Sequence, residues 1–316
     1  MDFDHGGSIS YLADPGCADR NLINSFDQGR QVQMSFYAGP VPHNPPTPEH
    51  PDGACSDLFR GDWPWNPIGA GDVVGGKAEV LQFERHAAAT STATTGGGVR
   101  RSCDNNNAMS IATRPLQWAC RNVPCECTFH NALELIPNTA AVKVIATLRN
   151  ERTDAYDETI ARDQELPAMY TNGEWHRLIT YNGSQPFQEH PVVEYEVGFD
   201  NSQAFPWIPG RFPATENWAA LVDDTGWGLG VINPKETEFL GGFHLPERKG
   251  SGGPMDPQTG YLEPVSQHAL PRNIVFTYEY YLVLGSIDDI RSFAYQIKET
   301  SATAQQSDSR NWMVLK

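Results

Sequence analysis

An arginine, an amide and two carboxylates crowd into Arg162-Asp163-Gln164-Glu165, directly ahead of the apolar run Leu166-Pro167-Ala168-Met169. A second concentration of polar groups follows at Glu216-Asn217-Trp218 and Asp223-Asp224-Thr225-Gly226-Trp227. Acids and amides grip hydroxyls, and indole faces cover the apolar faces of sugar rings, so carboxylates beside tryptophans suggest a carbohydrate site. The plainer alternative is that these carboxylates cap turns and pair with nearby arginines.

Two carboxylic acids flanking a glycosidic bond suffice for hydrolysis: one protonates the leaving oxygen, and the other acts as nucleophile or activates water. Glu165 and Glu216 are the expected catalytic pair, with Asp223 as substitute. An Arg162 guanidinium aimed at Glu165 would keep that carboxylate ionised, making Glu165 the base or nucleophile and Glu216 the acid. Substrate contacts are expected from Arg30 and Gln33 in a strand-like stretch, and from Trp65 and Asn66 in a loop dense in tryptophan, proline and glycine. Arg162, Gln164, His176, Tyr181 and Trp218 complete that set. A rival reading is a polysaccharide lyase, with Tyr181 or His176 as base and Arg30, Arg162 or Arg177 neutralising a uronate. A second rival is a non-catalytic glycan-binding protein.

Composition narrows the partners. A formal net charge of -16 repels nucleic acid and anionic membrane surfaces at long range, so neither is expected as a partner. No apolar run approaches the roughly 20 residues that span a bilayer. G-x-S-x-G, H-E-x-x-H, P-loop and EF-hand patterns are absent from the sequence, and the paired glycines Gly241-Gly242 and Gly252-Gly253 lack phosphate-loop spacing. No cofactor is expected. The two glycine pairs bracket Phe243-His244-Leu245-Pro246 and suggest a flap.

All six cysteines (Cys17, Cys55, Cys103, Cys120, Cys125 and Cys127) fall in the first 127 residues, in loop-like sequence. An even count in loops suits disulfides and an oxidising compartment, so a secreted or otherwise extracytoplasmic protein is expected. The start, Met1-Asp2-Phe3-Asp4-His5, has neither the basic residues nor the apolar stretch of a signal peptide. Zinc held by Cys120, Cys125 and Cys127 with His130 nearby is the rival, but the spacing lacks a matching second pair.

Strand patterns dominate the elements that must position these groups. Val142, Val144, Ala146 and Leu148 alternate with Lys143, Thr147 and Arg149; residues 175–181, 218–222 and 227–232 also read as strands, the last two as a hairpin. Residues 273–284 are apolar or aromatic on both faces, which predicts a strand sandwiched between two layers. One helix is expected near 286–298: Ser286 and Asp289 form a capping box ahead of the stripe Ile287, Ile290, Ala294, Ile297. A count of 28 glycines and 24 prolines signals many turns, and two long irregular stretches, 38–72 and 87–107, read as loop insertions. The expectation is an all-β chain: one large twisted antiparallel β-sandwich domain over 1–316, with long loops and one short C-terminal helix.

The opening Gly6-Gly7-Ser8-Ile9-Ser10, then Asn21-Leu22-Ile23-Asn24 and Asp27-Gln28-Gly29-Arg30, resembles that of carbohydrate-active β-supersandwich proteins of the galactose-mutarotase-like type. The resemblance covers residues 6–30 and implies a supersandwich fold and a sugar substrate; that family's histidine and glutamate are not placed here by motif. Gln164-Glu165-Leu166-Pro167-Ala168 and Glu216-Asn217-Trp218-Ala219-Ala220 resemble segments of uncharacterised secreted bacterial proteins.

Overall fold

A computed structural model describes residues 1–14, 20–26, 31–42, 64–69, 77–86, 108–117, 123–153, 160–200, 202, 206–245, 253 and 255–311. The strands, in chain order, begin with β1 (Val32–Ser35), β2 (Ala38–Pro42), β3 (Pro64–Trp65), β4 (Pro67–Ile68), β5 (Glu79–His86), β6 (Ala108–Arg114) and β7 (Leu116–Gln117). They continue with β8 (Cys127–Leu135), β9 (Ala141–Asn150), β10 (Arg162–Asn172), β11 (Arg177–Thr180), β12 (Val193–Tyr195) and β13 (Gly198–Phe199). The last are β14 (Trp207–Pro213), β15 (Trp218–Val222), β16 (Trp227–Ile232), β17 (Glu238–His244), β18 (Thr259–His268) and β19 (Val275–Ser286), followed by helix α1 (Ile287–Asn311).

Two antiparallel sheets form the body. One has eight strands in the order β13-β14-β17-β18-β10-β1-β4-β7, the other nine in the order β12-β11-β15-β16-β19-β9-β8-β6-β5. The inward faces meet in one core: Met34, Phe36, Leu166, Met169, Phe212, Phe239 and Leu262 from the first sheet pack with Val144, Ala146, Leu148, Leu221, Leu229, Tyr280 and Leu282 from the second. The all-β sandwich expected from the strand patterns is what the chain builds.

Local sequence accounts for several elements directly. In β9 the alternating Val142, Val144, Ala146 and Leu148 enter the core, while Ile145, out of phase with them, is exposed. Strand β19 is buried on both faces for the reason its sequence suggests. Tyr278, Tyr280, Leu282 and Leu284 face the inter-sheet core, and Tyr281 and Val283 face a second cluster with Ile290, Phe293 and Ala294 of α1. The helix starts at the capping box: the Asp289 Oδ2 accepts from the Ser286 backbone N–H at 3.0 Å, and the Ser286 Oγ accepts from the Asp289 N–H at 3.2 Å.

Other expectations shift. The strand foreseen from Trp175 begins at Arg177, and Gly241-Gly242 lies inside β17 instead of in a flap. Residues 38–42 and 64–68 supply β2, β3 and β4, whereas 43–63, 70–76, 87–107 and the second glycine pair's loop through 252 lie outside the described residues. Among the described residues no helix is long and apolar enough to cross a membrane.

Candidate functional site

The outer face of the eight-stranded sheet carries a group of polar residues set among aromatics. Leu262 of β18 points into the core, so its neighbours Tyr261 and Glu263 point outward. On β10 the register slips between Glu165, opposite Val265, and Met169, opposite Leu262: four steps on one strand match three on the other. This bulge puts both Glu165 and Tyr170 outward, although simple alternation would send residues five apart to opposite faces. Ser35 lies opposite Glu165 and Gln33 opposite Ala168 on β1, which adds both polar side chains to the same face.

The Glu165 carboxylate is hydrogen-bonded to Ser35, Tyr261 and Glu263. Burial raises its pKa above the ordinary carboxylate value, and these hydrogen bonds offset part of the rise. Glu263 is pushed well above its ordinary value, first by burial and then by the charge of Glu165. It is 1% exposed, and its Oε2 finds no hydrogen-bond partner among the described residues. Burial and the same two carboxylates also raise the Tyr261 phenol, which stays a neutral donor. The result is a carboxylic acid, Glu263, donating to a carboxylate, Glu165, the electrostatic outcome when two acids share a confined space. Glu165 retains partial exposure, so it is the member of the pair that a ligand can reach.

Aromatic rings flank this pair. Tyr170 lies 4.8 Å from Tyr261, Trp207 stacks on Tyr261 at 4.9 Å, and Phe199 meets Trp207 edge-on at 5.1 Å. Glycine at 242 makes the Trp207 position possible: a Cβ there would come within 2.6 Å of the Ile208 carbonyl oxygen and 3.0 Å of the Trp207 Cβ. Asp163 and Arg211 form an ion pair at the rim of the same face.

Glu216 is elsewhere. It precedes β15, whose Ala219 and Leu221 enter the inter-sheet core while Trp218, Ala220 and Val222 face α1. Five hydrogen bonds converge on its fully buried carboxylate: two from Arg291 at 2.8 Å, one from the Tyr295 hydroxyl at 2.8 Å, one from the Phe187 N–H at 2.9 Å and one from the Trp218 Nε1 at 3.0 Å. Burial alone would raise its pKa, but these donors outweigh it and the net shift is downward. Glu165 and Glu216 therefore lie on opposite sides of the sandwich, with both sheets between them, and cannot flank one glycosidic bond.

Most of the remaining expected site residues have structural partners. Asp223 caps its turn: its Oδ1 accepts from the Thr225 hydroxyl at 2.6 Å, the Thr225 N–H at 2.8 Å and the Trp227 N–H at 3.2 Å, and these hydrogen bonds overcome burial to lower its pKa. Trp65 is fully buried in the core under the Arg152 guanidinium, and the Asn66 N–H donates to Gln117 at 3.1 Å. Gln164 points inward, clipping Tyr37 through its N–H at 2.9 Å and its carbonyl at 2.8 Å. Trp218 fills the space beneath α1. Tyr181 donates to the Gln185 carbonyl at 3.1 Å beside Arg291, and His176 sits between the Glu174 carbonyl and Asp224. Arg162 lies opposite His268 at the end of β10, and Arg177 pairs with Glu194. Arg30 lies outside the described residues. Of the expected set, Glu165 and Gln33 meet on one face. Glu263 and Tyr261 join them unforeseen, although an acid between Leu262 and Pro264 in an otherwise apolar run was a visible signal.

Cys127 enters the core, whereas His130, three residues on, points to the opposite face of β8, so the two do not converge on a metal. Cys125 and Cys127 face each other with Cα atoms 5.1 Å apart, a span that a disulfide bridges. The other four cysteines lie outside the described residues.

No family model matches the sequence, and no curated protein matches it. Among solved structures, a galactose mutarotase-like protein from Lactobacillus casei is similar over 89% of this chain and 95% of its own, with 9% identity and a TM-score of 0.43. A galactose mutarotase related enzyme from Lactobacillus acidophilus aligns over 67% of this chain and 72% of its own, at 10% identity and TM-score 0.38. A GH36 α-galactosidase from Geobacillus stearothermophilus aligns over 68% of this chain at 9% identity and TM-score 0.40; the chain spans 29% of that enzyme's length.

Proposed function

We propose that this chain is a carbohydrate-active enzyme that handles a sugar on the outer face of the eight-stranded sheet, with Glu165 as the proton-transferring carboxylate and Glu263 as the buried acid that hydrogen-bonds to it. The observation that carries the reading is the hydrogen-bonded acid and carboxylate beside the Tyr170, Tyr261 and Trp207 rings. A pair in direct contact suits proton transfer. Glu165 takes a proton from one sugar oxygen and returns it to another, and the hydrogen bond from the buried Glu263 carboxyl steadies the charge on Glu165 between the two transfers. A two-carboxylate glycosidase needs its carboxyls about 5–5.5 Å apart for retention or about 6.5–9.5 Å for inversion, so this pair supports proton transfer ahead of hydrolysis. An extracytoplasmic setting remains part of the proposal, supported by the even cysteine count and the Cys125–Cys127 pair.

The test is a panel of mono- and oligosaccharides followed by NMR, which reads anomer exchange, solvent-deuterium uptake, new reducing ends and unsaturated products together. Galactose heads the panel because two of the similar structures are named for galactose mutarotase. Turnover by proton exchange, reduced roughly 10²–10⁴-fold in Glu165→Gln and in Glu263→Gln, is the expected result. Turnover of any kind that survives both folded variants would remove the pair from the mechanism. Unsaturated products would favour a lyase, and binding without turnover a lectin-like role.

A further inference from the structure

We infer a second binding site, for a small anion with an apolar face, in the crevice between helix α1 and the outer face of the nine-stranded sheet. The crevice holds about 360 Å³, within the size range of small-ligand sites. It lies across the sandwich from Glu165 and is independent of the reading given to that site.

The crevice follows from the pattern of the helix. Ala294, Ile297, Lys298 and Ser301 recur at the spacing of one helix face, and all four line the space. Ile290 and Phe293 fill the ground beside them, but Ala294 and Ser301 are small where the helix passes Ile232 and Pro234, so the two walls do not close. The floor is therefore apolar. Charge comes from both walls: Lys298 from the helix and Lys235 from the turn after β16. Glu279 of β19 also lines the crevice, but its Oε2 pairs with Lys143 at 2.7 Å and its Oε1 accepts from Tyr281 at 2.7 Å. Among the described residues neither Lys235 nor Lys298 forms a direct ion pair, although the charge of Lys235 reaches the neighbouring Glu236 carboxylate; the Lys298 ammonium lies 5.3 Å from the Phe187 ring centre. Two ammonium groups over an apolar floor, neither in a direct ion pair, in a chain of net charge -16, select a carboxylate or phosphate ester about the size of one sugar.

Calorimetric titration of the full chain with D-glucuronate, D-glucose 6-phosphate and D-glucose tests this, since the three share a ring and differ in charge. One or both anions should bind at least tenfold more tightly than glucose and weaken with added salt; the arm that binds better identifies the head group. Lys235→Gln combined with Lys298→Gln should lower anion affinity at least tenfold, Ala294→Leu should abolish it by filling the floor, and Glu165→Gln should leave it unchanged. Anion binding no tighter than glucose binding, or undiminished in the lysine double variant, overturns the inference. Anion binding lost in Glu165→Gln also overturns it, because the ligand would then belong to the other site.

Discussion

Two buried glutamates on opposite sides of this sandwich have opposite electrostatic fates. Glu216, under α1, receives five hydrogen bonds, two of them from a guanidinium, and its pKa is lowered. Glu263, on the outer face of the other sheet, neighbours a second carboxylate, leaves one oxygen without a partner among the described residues and has its pKa raised. A buried charge with a full set of donors joins elements together: Glu216 ties the β14–β15 turn to the helix. A buried acid facing another acid adds no such stability and persists at a cost to the fold, as acids in proton-transferring sites commonly do.

The largest expected effect falls on the Glu216 side. Arg291→Met leaves a buried carboxylate without its counter-charge and should cost roughly 3–5 kcal/mol in urea unfolding. A loss under 1 kcal/mol would place the Glu216 cluster with ordinary surface ion pairs. On the other side, Glu165→Gln should lower sugar turnover roughly 10²-fold or more with little change in the unfolding midpoint. A large stability loss with activity intact would make Glu165 another Glu216.

The pH dependence of stability separates the two regions by sign. Glu216, with its lowered pKa, contributes stability that is present above the unfolded carboxylate value and is lost as pH falls through the folded value. Glu165 and Glu263, with raised values, hold their protons more tightly when folded, so their contribution is most favourable below the unfolded value and declines as pH rises through the folded values. Glu263→Gln should therefore be more stable than the parent at pH 8, with the gap closing toward pH 4. A parent more stable than this variant at pH 8 would mean that the Glu263 carboxyl is well satisfied. Smaller still, Tyr295→Phe removes one of the donors to Glu216 and should cost about 1.5–3 kcal/mol. Ser286→Ala loosens the cap of the helix that carries both partners and should cost about 0.5–2 kcal/mol.

What the sequence determined by itself was local and periodic. The alternation in 141–149 placed β9, the two apolar faces of 273–284 placed β19 between core and helix, and Ser286 with Asp289 marked the start of α1. Each depends on residues within a few positions of one another, where side-chain period and capping chemistry act directly. The polar composition of the Arg162–Glu165 segment was also visible, as was the strand bearing Gln33. The partner of Glu165 was not. Glu165 and Glu216 stand in similar sequence surroundings, each beside a bulky apolar residue, and nothing local says that one faces outward from the eight-stranded sheet and the other lies beneath a helix. That choice was made by the pairing of β10 with β18 and by a one-residue slip at Leu166–Pro167, which together put Glu165, Tyr170, Tyr261 and Glu263 on one face. Strand pairing joins residues about a hundred positions apart, and a bulge reverses the side on which every later residue lands. Tertiary structure likewise settled whether tryptophans line a surface or fill a core, because Trp65, Trp207 and Trp218 have the same side chain and differ only in what folds over them.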